Sequence, residues 1–188
     1  RGGEAQVKGI EDHADEGSDF FVQRRAWELA RDAKFNPSAC GALGIHGASA
    51  RQAGDTLRQL LQLAQRLGLD TREATLPDEA ERICKCLLAG FSDHLAKRND
   101  RGTLRCRMVH GRSGELLRES VVGTELFVAA EIEERELRRE VTVMLGLATA
   151  VDAKWLEELF PRDFVNSSLT TYDASLRRVV ARSERRFR

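Results

Sequence analysis

Apolar positions recur with a helical period up to Phe91 and with a period of two from Leu104 onward. That change of period marks a seam between two folding units. In the first part, Ser18 is placed to cap a helix, with Asp19 in its first turn. Val22, Ala26, Leu29, Ala30 and Ala33 define the buried face, and Trp27 flanks it as a core or inter-helix packing residue. Asn36–Pro37 ends this helix, because the residue before a proline is pushed out of the helical region. Residues 38–48, with Gly41, Gly44 and Gly47, read as a loop. Ser49 and Gln52 form a capping box that opens a second helix. Its stripe of Leu57, Leu60, Leu61, Ala64 and Leu67 is expected to build core, and Gly68 stops it. A third helix starts near Thr75–Pro77, with Ala80, Cys84, Leu87, Leu88 and Phe91 on one face. Ser92 caps a short helix over SDHLAKR.

The remainder alternates. Leu104, Cys106 and Met108 interleave with Arg105, Arg107 and Val109, giving one apolar and one largely cationic strand face. Gly111–Gly114 turns this strand into a second one over Glu115–Arg118, a hairpin. Further strands cover Glu125–Glu133 and Leu137–Ala148. Asp152 caps a short helix, DAKWLEELF, that Pro161 ends. From Leu176 the chain carries six arginines against one glutamate and reads as the edge of another unit. The fold class is therefore α+β: an N-terminal helical bundle, then a small antiparallel β-barrel, then the truncated start of a C-terminal unit.

Composition narrows the functions open to this fold. Hydrophobic residues make up 41% of 188, ample for a core, and the formal net charge is zero. Affinity for a polyanion must then be local. Apolar runs are short and broken by charge, so no transmembrane helix is expected. Cys40, Cys84, Cys86 and Cys106 are too few and too irregular for a disulfide framework, which places the chain in a reducing cytoplasm. The Gly-rich, acidic residues 1–17 read as a mobile entry segment, and the absence of an initiating Met suggests a piece of a longer polypeptide.

No reaction centre is expected. GALGIHG lacks the Lys-Ser/Thr of a phosphate loop, and no strand precedes it. His13, His46, His94 and His110 are scattered, and no serine sits in a nucleophile elbow. Cys84 and Cys86 are two apart on a helix and point to nearly opposite sides, which does not suit paired metal ligands. The informative stretch is basic. Between Asp93 and Arg118, seven Lys/Arg oppose three acids, a local charge of +4 on a neutral chain. Arg105 and Arg107 project from one strand face about 6–7 Å apart, close to the spacing of neighbouring phosphates.

The same stretch carries a resemblance. ICKCLLAGFSDHLAKR (Ile83–Arg98) resembles the end of the helical helicase-associated region of DEAH-box ATP-dependent RNA helicases. LRCRMVHGRSGELLRESVV (Leu104–Val122) resembles the start of the OB-like domain that follows, ELFVAAEI its next strand, and TAVDAKWLEELFP its closing helix. HGRSG and the Arg-rich tail look most like the bacterial HrpB-type branch. The resemblance implies a helical helicase-associated domain over 1–98, an OB-like domain over 99–164 and the start of a truncated C-terminal domain over 165–188. It implies an accessory region that binds single-stranded RNA or other nucleic acid and packs on the motor domains of the same chain. ATP and magnesium would belong to those motor domains, with no cofactor or catalysis in this fragment. The residues that would contact the strand are Lys97, Arg98, Arg101, Arg105, Arg107 and Arg112. A protein-interaction or regulatory module is the alternative.

Overall fold

The computed structural model describes residues 17–72, 77–137, 140–173 and 175–187. The acidic entry segment up to residue 16, Thr75 and Arg188 lie outside the described residues. Helices come first: α1 (Asp19–Asp32), α2 (Pro37–Ala42), α3 (Gly47–Arg66) and α4 (Glu79–Gly90). They are followed by β1 (Leu95–Arg98), β2 (Arg105–Met108), β3 (Ser113–Leu116), β4 (Leu126–Leu137) and β5 (Glu140–Ala150). A short helix α5 (Ala153–Leu159) leads to a separate two-stranded sheet, β6 (Phe164–Asp173) and β7 (Arg178–Phe187).

Ser18 caps α1 as its sequence predicts, its Oγ accepting the Phe20 N–H at 3.2 Å. The same corner ties the helices to the sheet. Asp19 accepts the N–H of Val121 at 2.9 Å, the N–H of Ala148 at 2.7 Å and the hydroxyl of Ser120 at 3.0 Å. Ser18 Oγ lies 2.8 Å from Thr149 Oγ1, with both residues buried, and the Gly17 carbonyl accepts the Ala150 N–H at 2.7 Å. A carboxylate accepting three bonds offsets its own desolvation and holds α1 in place on β5.

Three local readings change. The expected loop at 38–48 contains α2, because Asn36 Oδ1 accepts the N–H groups of Ser38 and Ala39 and Pro37 occupies the first turn, where its missing N–H costs nothing. Asn-Pro starts one helix as well as following another. α3 begins before the proposed Ser49 capping box: His46 is the N-cap, its Nδ1 accepting the Ser49 N–H at 3.3 Å. The leucine stripe of α3 is not core. Trp27 packs against the first half of α3, donating its indole N–H to the Ala50 carbonyl at 3.0 Å and lying against Gly54. Among the described residues nothing buries the second half, and Leu60 and Leu67 are 58% and 70% exposed. Gly68 ends the helix as read, with φ +76°.

The sheet begins earlier than expected. Ser92–His94 is a single 3₁₀ turn, and the predicted helix over SDHLAKR gives way to β1 at Leu95. The first strand therefore lies on the helical side of the 98/99 boundary. Strand order is β1-β2-β3-β5-β4, and β4 pairs back onto β1, so the hydrogen bonding runs round a ring. The sheet is not wholly antiparallel, since β3 and β5 pair in parallel through Glu115–Met144 and Leu116–Leu145. Gly114 permits that approach: a Cβ there would sit 3.0 Å from the Val143 carbonyl.

Alternation sorts the strands into two cores. Ala96, Cys106, Met108, Leu116, Phe127, Ala129, Leu145 and Ala148 fill the inside of the ring. Leu95 and Val128 point outward, under Leu88 of α4 and Leu156 of α5, joined by Phe160, Phe164 and Phe187. The β6–β7 sheet stands on that second cluster by its aromatic foot. Beyond the foot, Leu169 and Tyr172 are exposed by 63% and 65%.

Candidate nucleic-acid interface

Period two decides which cations face water. β1 has the burial order buried, buried, exposed, buried over Leu95–Arg98, and β2 alternates exposed and buried over Arg105–Met108. Cys106 and Met108 go inward, so Arg105 and Arg107 go outward. The antiparallel register puts Lys97 opposite Arg107. Lys97, Arg105 and Arg107 thus share one outer face of adjoining strands, as the sequence suggests for the two arginines.

Arg98 does not join them. Its parity with Ala96 turns it inward, where it is 9% exposed. Its guanidinium donates to the carbonyls of Thr124 (Nε, 3.0 Å), Thr103 (Nη1, 2.7 Å) and Val122 (Nη2, 2.5 Å), and it lies over the Phe127 ring at 6.0 Å. A buried guanidinium persists only when its donors are met, and here three carbonyls meet them. Arg98 is therefore a structural clamp. It pins the turn after β1 and the segment before β4 to one strand, which fixes Lys97 on the opposite side. Strand parity accounts for the split once β1 is known, since Arg98 is two residues from Ala96 and one from Lys97.

The remaining cations are exposed. Arg101 lies in the turn between β1 and β2. Arg112 precedes Ser113, whose Cα faces Arg107, and it reaches Glu134 on β4 at 3.1 Å. Lys97 pairs with Glu125 at 2.9 Å and Arg105 with Glu115 at 3.6 Å. Arg101 and Arg107 make no ion pair among the described residues. Exposed pairs of this kind contribute at most about 1 kcal/mol, so a phosphate can replace either carboxylate at small cost. Electrostatically the face is a row of cations lightly held by neighbouring acids.

Of the four cysteines, Cys86 alone is exposed. Cys84 and Cys106 are buried, and burial pushes both thiols up; the Cys106 Sγ also donates to the Leu104 carbonyl at 3.1 Å. Among the described residues no three His, Cys, Asp or Glu side chains come together as metal ligands. No helix of the described residues is long and apolar enough to cross a membrane.

No protein-family model matches the chain, and no curated protein matches it. Solved structures similar to it include the E. coli DExH-box NTPase HrpB, with a TM-score of 0.49 and 20% sequence identity. The alignment covers 67% of this chain and 15% of that one, so the chain spans a small part of that protein's length.

Proposed function

We propose that this chain is an accessory, single-strand-binding region of a DEAH-box ATP-dependent RNA helicase, gripping RNA for motor domains that carry the ATP and magnesium chemistry. The observation that carries the reading is the shared outer face of β1 and β2, where Lys97 stands opposite Arg107 and Arg105 lies two residues along. The ring of five strands supports an OB-like barrel, an architecture that offers a strand face and loops to single strands. The order of helicase-like motifs from Ile83 to Pro161 supplies the class. The contact residues are Lys97, Arg105 and Arg107, with Arg101 and Arg112 at the margins. Recognition runs through phosphates, so sequence preference is slight. The test is a titration with single-stranded RNA at low and moderate salt. Arg105→Glu/Arg107→Glu abolishes the salt-sensitive binding; binding that ignores both salt and this pair refutes the proposal.

The exposed leucines of α3 favour a second reading, in which the chain docks a protein, either an activator or the motor domains. A protein ligand that displaces RNA, or that binds where RNA does not, supports it.

A further inference from the structure

Next to the outer cations, between the sheet and the foot of the β6–β7 sheet, lies a cleft of about 440 Å³. Lys97, Asn99 and Arg107 line one side, and Val109, Leu126 and Phe187 contribute the apolar part. Phe187 is the last described residue of β7 and pairs in register with Phe164. Its ring is held edge-on by Phe164 at 5.4 Å and by Phe160 at 5.8 Å between centroids. Arg185, paired with Glu157 at 2.6 Å and lying 4.3 Å over the Phe164 ring, secures the same foot. The ring is therefore fixed in place, and it is only half-buried.

Described β1, β2 and β3 carry no aromatic side chain, which by itself leaves a phosphate-only surface. The cleft supplies what those strands lack. We infer that it is a nucleotide subsite of the proposed RNA-binding face, in which Phe187 stacks one base while Lys97 and Arg107 hold the adjoining phosphate. The inference rests on the proposed function and extends it by assigning base contact to the second sheet. Cations along a backbone and an aromatic face under a base are the two components of single-strand recognition. The cleft volume falls in the range of small-ligand sites. Asn99 is exposed at the rim, where its side-chain amide can both donate and accept.

The experiment compares a labelled ten-residue oligouridylate with an abasic ribose-phosphate strand of equal length. The wild-type chain binds the oligouridylate about tenfold more tightly, the scale of one stacked base. Phe187→Leu, which keeps an apolar foot, removes that preference and leaves the salt slope intact; Phe187→Tyr retains the preference. Lys97→Ala/Arg107→Ala weakens both strands together. A 4-thiouridine strand on the wild-type chain cross-links to the peptide containing Phe187, a readout that needs no variant. Equal wild-type affinity for the two strands, or a cross-link confined to other peptides, overturns the subsite alone. Absence of binding to either strand overturns the proposed function and the subsite with it. An acidic peptide that takes the place of oligouridylate with the same Phe187 dependence also overturns the subsite.

Discussion

The two sheets of this protein are both built from hydrogen-bonded neighbouring strands, yet they are held by different means. The five-stranded ring closes over Phe127 and Leu145, both fully buried, and its rim is clamped by Arg98 and Asp19. The β6–β7 sheet has a complete ladder from Phe164–Phe187 to Asp173–Arg178 and almost no core of its own. Ladder bonds replace bonds to water and contribute modestly, whereas burial of apolar area supplies most of the stabilisation. A two-stranded sheet is marginal alone. The second sheet should therefore depend on its aromatic foot.

Substitutions can break that contrast. The largest effect is expected inside the ring: Phe127→Ala leaves a cavity and costs about 3–5 kcal/mol in denaturant unfolding. Its counterpart in the second sheet, Tyr172→Ala, changes stability by less than about 0.5 kcal/mol, because the side chain is already in water. Next comes Arg98→Ala, which strands three carbonyls and costs roughly 2–4 kcal/mol. Arg98→Lys does not restore this, since an ammonium cannot span the fork, while Lys97→Ala is nearly neutral in stability. Asp19→Asn, which turns a three-fold acceptor into a group with two donors facing donors, costs about 1–3 kcal/mol. Native-state hydrogen exchange should rank the sheets likewise, with β4 and β5 near Phe127 protected and the amides around Tyr172 exchanging early. The smallest expected effect is chemical. Alkylation of the folded chain modifies exposed Cys86 first, while Cys84 and Cys106, buried and with raised thiols, react only on unfolding.

Much of the ring was legible because period two has a short reach. Leu104, Cys106 and Met108 against Arg105 and Arg107 predict inside and outside without knowledge of any partner strand. β1 was not legible. Its four residues follow a helix directly, and LAKR is a good helical string; pairing with β2 and β4 overrides that propensity. Arg98 was misplaced for the same reason, since its parity appears only once the strand is known. The leucines of α3 failed differently. A stripe at helical spacing states that a face is apolar, and tertiary packing alone states what covers it. α2 was hidden because Asn36–Pro37 reads as the stop of the preceding helix, whereas α1 ends at Asp32, before the left-handed Lys34 and Phe35, and Asn36 caps the next helix. Phe187 offered no sequence signal as a site residue, lying in an arginine-rich strand far along the chain from Lys97.

The direct test of the central claim is the salt dependence of single-stranded RNA affinity, measured for the wild-type chain and for Lys97→Ala/Arg107→Ala. Each phosphate contact on a single strand contributes about −0.7 to the slope of log affinity against log salt. If the outer face of β1 and β2 grips the backbone, removing these two cations makes the slope shallower by about 1.4 while the fold persists. An unchanged slope in the folded double variant contradicts the account.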